Sequence, residues 1–197
     1  MKQHPILMST PMVKAILCGN KTMTRRVIKP QPIKIDDAFD GTWEWKDKGH
    51  YFDDLTLICE LISSCPYGQE SDKLWVRETH FIGGVKPKEW VMYKAMDCPE
   101  KKWGEYIWRP SIFMPRWASR ITLEITGIKV ERVQEITDND IYSEGALNVK
   151  DTTFGSGFNK KVFARLWDSI NAQRGYSWES NCWVWVISFK RLHNDWN

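Results

Sequence analysis

The stretch Gly19-Asn20-Lys21-Thr22-Met23-Thr24-Arg25-Arg26 places an amine, two hydroxyls and two guanidiniums within a single short segment. A lysine is ordinarily a protonated surface charge, and it becomes a base when burial or a neighbouring cation lowers its pKa. Arg25 and Arg26 are such neighbours of Lys21. Thr24 offers a hydroxyl that acts as a nucleophile once its proton is removed. Residues 21 and 24 point to opposite faces of a regular strand, so both reach one pocket only where the segment turns or bulges. Thr22, Arg25 and Arg26 are donors suited to a phosphate. Residues 1–35 hold seven Lys/Arg and no Asp or Glu, while the remainder carries 21 Lys/Arg against 25 acids. Positive charge segregated in this way suits phosphate or a nucleic-acid backbone better than an apolar ligand. A solvated basic loop accounts for the charge equally well.

Glu78, Glu124, Glu131, Glu135 and Glu144 are candidate carboxylate partners. Glu124 and Arg120 share the polar face of one expected strand, where a solvated cross-strand pair is the ordinary outcome. Glu144 stands apart. It ends a short expected helix directly before Gly145, where the helix dipole disfavours a negative charge, and so becomes a candidate for acid–base work, although a frayed, solvated helix end explains it as well. Met114-Pro115-Arg116-Trp117-Ala118-Ser119-Arg120 adds Arg116 and Arg120 as phosphate-gripping candidates, and Arg77 joins them as a ligand-binding candidate from its own strand.

The elements that must position these groups read as mixed α+β. Pro5–Met8 is a short buried strand. Thr10-Pro11 then opens a helix with Met12, Val13, Ile16 and Leu17 on one face and Gly19 as its stop. Lys73–Glu78 is a firm strand, and a weaker one lies near Val91–Tyr93. From Arg120, the apolar parity changes at Thr126-Gly127, which calls for a bulge or bend, as where a sheet curls. Thr137 begins a second helix, with Asp138 and Asp140 in its first turn. Asn159–Asn171 is a third, with Val162, Phe163, Leu166 and Ile170 on its apolar face. Trp183–Phe189 is apolar on both faces, as in a central strand. Residues 33–66 and 83–115 are excursions. In the first, Trp43-Glu44-Trp45 and the Leu55–Ile62 run suggest short strands. Trp43, Trp45, Trp90, Trp103 and Trp108 lie in polar segments and are candidates for base stacking as well as for local packing.

Composition narrows the function classes. Apolar content of 42% with 27% charged residues is globular. No apolar run spans a bilayer and no signal peptide is evident, so a cytoplasmic protein without membrane contact is expected. Five cysteines with no CxxC pair, and four scattered histidines, argue against a disulfide framework or a zinc ribbon. No metal and no cofactor are expected.

Together these segments resemble the activating-signal-cointegrator homology (ASCH) domain, a branch of the PUA-like fold. The resemblance rests on Ile16-Leu17-Cys18-Gly19 followed by Lys21-Thr22-Met23-Thr24-Arg25, and on the strand Leu74–Glu78. The bent strand from Ile121, the segment Ile136-Thr137 through Glu144-Gly145 and the terminal strand complete it. Over nearly its full length the chain looks like a group encoded in phages and prophages. The resemblance implies one domain over residues 1–197, a curled β-barrel with flanking helices, and insertions at about 33–66 and 83–115. It also implies handling of RNA or modified nucleosides. A small bacterial relative is an amidohydrolase that removes the acetyl group of N4-acetylcytidine with a lysine, a threonine and a glutamate, which map onto Lys21, Thr24 and Glu144. Another relative is a ribonuclease, so the resemblance does not fix one reaction. A non-catalytic RNA- or DNA-binding module and a phage protein that binds a host factor are the alternatives.

Overall fold

The computed structural model describes residues 1–35, 42–46, 51–86, 88–96, 106–146 and 156–192. Its main sheet has the order β1-β6-β9-β10-β2. The strands are β1 (Gln3–Leu7), β2 (Met23–Val27), β6 (Lys73–Arg77), β9 (Thr122–Arg132) and β10 (Trp183–Leu192). Only β1 and β6 run parallel. The expected change of parity is present: Ser188 faces Gly127 while Phe189 faces Ile125, so Thr126 is bulged out of the ladder. Among the described residues no sheet closes into the expected barrel. The two edge strands nevertheless approach each other, because Arg26 Nη2 on β2 donates to Leu7 O at the end of β1 at 2.6 Å.

Helix α1 (Thr10–Leu17) connects these edges. Its N-cap is Ser9, one residue earlier than the sequence suggests, with Pro11 in the first turn. Val13 and Ile16 are its buried contacts, and Gly19 takes the left-handed conformation beyond its end. Helix α3 (Asp138–Ser143) starts as expected, with the Thr137 hydroxyl accepting from Asp140 N and the Asp140 carboxylate accepting from Thr137 N. Helix α4 (Ser156–Asn171) begins three residues before the expected start. Its buried contacts are Phe163 and Trp167 rather than the expected Ile170, which is 40% exposed. Trp167 belongs inside because its Nε1 reaches Tyr176 O at 2.8 Å.

The first excursion departs most from its sequence reading. Leu55–Ile62 lies within helix α2 (Asp54–Ser63), capped by Asp53, whose side chain accepts from Thr56 N. Its apolar run mimics a strand, but Leu57 and Leu61 sit four apart on one helical face and are fully buried. Strands β3 (Ile33–Lys34), β4 (Trp43–Glu44) and β5 (Tyr51–Phe52) form a small sheet beside it. Trp43 and Trp45 are buried in the same core as Ile6, Val13 and Leu123. Their indole N–H groups are satisfied by Asp54 and by Pro30 O. They are packing residues, not stacking platforms. The second excursion carries β7 (His80–Gly83) paired with β8 (Trp90–Tyr93). There Trp90 packs on Phe81 and Trp108 lies against Tyr106. Trp103 is outside the described residues.

The central strand β10 separates two cores. Trp185, Ile187 and Phe189 face the core shared with α1 and α2, while Val184 and Val186 face α3 and α4. Strand β2, at the free edge beside β10, therefore presents alternate residues to two different layers. Among the described residues, no helix is long and apolar enough to cross a membrane.

Candidate functional site

Segment 19–22 is pinned from three sides before β2 begins. Asn20 N and Lys21 N donate to Ala15 O at the end of α1, Thr22 N donates to Ser143 O in α3, and Phe189 N donates to Thr22 O. Lys21 and Glu144 form an isolated antiparallel bridge. This approach requires Gly145. Its φ is +68°, and a Cβ there would lie 2.8 Å from Ala15 Cβ and 3.1 Å from Lys21 Cβ.

The Lys21 side chain folds back along its own segment. Its Nζ donates to Met23 O, Glu144 O and Glu144 Oε2, each at 2.8 Å. Three acceptors require three N–H donors, so this geometry is that of the ammonium, and none of its hydrogens is left for Thr24. The side chain is fully buried. Burial drives the Lys21 pKa below its ordinary value against the opposing pull of Glu144, and Arg26 and Arg25 add to the lowering.

Glu144 caps the C-terminus of α3. The dipole at that end is opposed by two cations: Lys21 on one carboxylate oxygen and Arg25 Nη1 on the other, at 3.4 Å. Arg25 is the hub of the arrangement. Opposite Val186 on β2, it points into the α3–α4 layer and also meets Glu131 and Asp140. Lys129 completes the network at 2.8 Å from Glu131. Burial alone would raise the Asp140 carboxyl, but the Thr137 N–H and the Arg25 guanidinium hold it below its ordinary value. Arg25 fills the point on which the three carboxylates converge. Among the described residues, no group of three His, Cys, Asp or Glu side chains is placed to hold a metal ion.

Thr24, opposite Ile187, faces the other layer and is almost fully buried. Both layers open onto one cleft of about 840 Å³ that wraps around the free edge of β2, between α1 and α4. Thr24, Arg25 and Glu144 are on its wall, whereas Lys21 stands behind Glu144. The separation expected for residues 21 and 24 is thus present within the segment, and the cleft bends around it. Phe163, Leu166 and Trp167 form an apolar side, and Tyr67 lies under Arg26, 5.9 Å from the guanidinium.

No family model, curated protein or solved structure matches this chain.

Of the other residues singled out in the sequence, Arg26 lines the cleft while Thr22 stays exposed and acts through its backbone. Arg77, Arg116 and Arg120 are not among the cleft residues. Arg120 pairs with the buried Glu78 through two hydrogen bonds of 2.9 and 3.1 Å, and Glu124 makes the expected solvated cross-strand pair, with Lys190 of β10 at 2.8 Å. Lys29, just beyond β2, and Trp167 and Arg174, from α4 and the turn that follows it, belong to the cleft but were not singled out in the sequence, since the last two reach it from far along the chain. Glu131 was one of several equivalent carboxylates, and nothing local distinguished it.

Proposed function

We propose that this chain is an ASCH-type protein of PUA-like architecture that takes a modified nucleoside or RNA into the cleft at β2 and hydrolyses an acyl amide on the base. The curled five-stranded sheet, whose edges are bridged by Arg26, supports the architecture. The observation that carries the chemistry is one cleft lined by both a buried threonine and a carboxylate fixed by two cations. The cleft volume falls within the range of small-molecule sites.

In this reading the Thr24 hydroxyl, or a water in its place, attacks the acyl carbonyl carbon, and the Glu144 carboxylate takes the departing proton. As the C–N bond breaks, Glu144 returns that proton to the exocyclic nitrogen. Where threonine attacks, water then cleaves the threonyl ester, so amide and water give carboxylic acid and amine. Lys21 holds the Glu144 carboxylate with its ammonium, and its role is to position that group. Conversion of N4-acetylcytidine to cytidine, followed by chromatography, tests the proposal. Turnover by the wild type and its loss in Glu144→Gln are expected, and a wild type without turnover rejects this substrate.

A non-catalytic nucleic-acid-binding module is favoured by one observation. Arg25, Arg26, Lys29 and Arg174 face the cleft, and among its described lining residues Glu144 is the one acid. That reading expects affinity to fall steeply with salt and no single substitution to be decisive.

A further inference from the structure

The sequence marks Arg77 and Arg116 as ligand-binding candidates, yet the structure sets both away from the cleft, on the outer face of the β1–β6 pair. Leu74 and Val76 are buried, so Lys73, Trp75 and Arg77 project from the opposite face of β6. Arg77 and Arg116 both lie over the Trp75 ring, at 5.4 and 5.7 Å from its centroid. Arg116 also donates twice to Gln3 Oε1, at 3.2 and 3.0 Å, and Gln3 stands opposite Lys73. Here a second hollow of about 430 Å³ opens, lined by Lys73, Arg116, Trp117, Ser119 and Thr122 among others. Trp117 is 56% exposed and Phe113 67%.

This hollow and the cleft lie at opposite ends of one strand. Leu7, whose carbonyl holds Arg26 at the cleft, stands opposite Arg77, and four residues back Gln3 holds Arg116. Arg26, Arg77, Arg116 and Lys73 therefore follow one another along β1, over a length of roughly 13 Å between its ends. Among the described residues none of the four forms an ion pair. Arg26 and Arg77 donate to the carbonyls of Leu7 and Ile112, Arg116 to the Gln3 amide oxygen, and all three arginines lie over aromatic rings. The nearby acids are engaged elsewhere: Glu124 by Lys190, and Asp72 by the backbone N–H groups of Lys2 and Gln69.

We infer that the Lys73–Arg116–Trp117 hollow is a second nucleotide-binding subsite, and that a single strand of nucleic acid runs from the cleft along Arg77 to reach it. A row of cations that form no ion pair among the described residues suits a phosphodiester backbone, and an exposed indole offers a stacking platform for a base. The inference rests on the nucleic-acid ligand of the reading above and not on the hydrolysis. It makes the ligand an oligonucleotide longer than the cleft alone accommodates.

Fluorescence anisotropy of the full chain with labelled oligouridylates and oligothymidylates, from dinucleotide to decanucleotide, tests it. Wild-type affinity rises with length, and both sugars are accepted if the backbone alone is read. Lys73→Glu with Arg116→Glu removes most of that rise, weakens the decanucleotide by about tenfold or more, and flattens the slope of log K against log salt by about 1.4 for two lost phosphate contacts. Trp117→Ala, at an exposed position, weakens the decanucleotide by roughly tenfold. A wild type whose affinity is independent of length overturns the inference. So does a rise that persists in the folded double variant, or, if that variant unfolds, in Trp117→Ala. Acetylcytidine turnover measured in parallel separates the two readings. Turnover without length dependence leaves the hydrolase and discards the subsite, whereas length dependence lost in the variants, without turnover, does the reverse.

Discussion

Arg25 and Arg77 are both half of an arginine-rich region, and the regions use their charge in opposite ways. Around Arg25, three cations (Lys21, Arg25 and Lys129) meet three carboxylates (Glu131, Asp140 and Glu144). The charge is cancelled internally, and the group acts as a brace between β2, β9 and α3. Around Arg77 the partners are the Ile112 carbonyl and the face of Trp75. A cation held by neutral groups keeps its charge available to a ligand, whereas one held by carboxylates does not. The contrast separates residues that order the site from residues that attract what enters it.

The largest effect expected within the brace is on turnover. Glu144→Gln retains the shape of the carboxylate but cannot accept a proton, so kcat for deacylation falls by about 10²–10⁴. Lys21→Met is expected to lower kcat, because the carboxylate that moves the proton is no longer held by the Lys21 ammonium. Equal kcat/KM in wild type and Glu144→Gln would falsify the acid–base role.

Next in size is stability. Arg25→Met leaves three buried or half-buried carboxylates facing one another, and loss of one partner from a buried pair costs about 3–5 kcal/mol. Arg77→Met loses one hydrogen bond to a carbonyl and an exposed cation–π contact with Trp75, together about 1–2 kcal/mol. Urea unfolding measures both, and similar losses in the two variants would erase the distinction between the brace and the row of cations along β1. Gly145→Ala falls between them at roughly 1–3 kcal/mol, since it forces a side chain into the left-handed region against Ala15.

How much of this was legible in the sequence depends on whether the signal was local. The stop of α1, the cap and stop of α3, the bulge at Thr126 and the central position of β10 follow from neighbouring residues, and the structure has them. The proximity of Lys21 and Glu144 needed a resemblance, because 123 positions separate them. Helix α2 was mistaken for strands because an almost continuous apolar run hides a four-residue period. Trp43 and Trp45 looked free because their acceptors, Asp54 and Pro30 O, lie outside their own segment. The pairing of Arg120 with Glu78 turns on how neighbouring strands align, which no local pattern specifies. The same holds for the contribution of α4 to the cleft, since its Leu166 and Ile170 look like core residues until the helix is packed on Phe163 and Trp167.

The smallest expected effect is also the one that distinguishes the two regions most directly. The Asp140 carboxyl is held below its ordinary value in the folded chain, so its stabilising contribution is complete above the unfolded value of 3.8 and is lost as pH falls through the lowered one. The group is partly solvated, which limits the contribution to that of an ordinary ion pair, below about 1 kcal/mol. Asp140→Asn should therefore lower the thermal midpoint slightly at neutral pH, and the difference from wild type should shrink and vanish in acid. Lys73→Glu and Arg116→Glu replace cations that form no ion pair among the described residues, so removing those cations takes away no such pair whose strength acid could titrate. A deficit in Asp140→Asn that stays constant from neutral to acid pH would mean that its hydrogen bond to Thr137, and not its charge beside Arg25, is what that residue contributes to the brace.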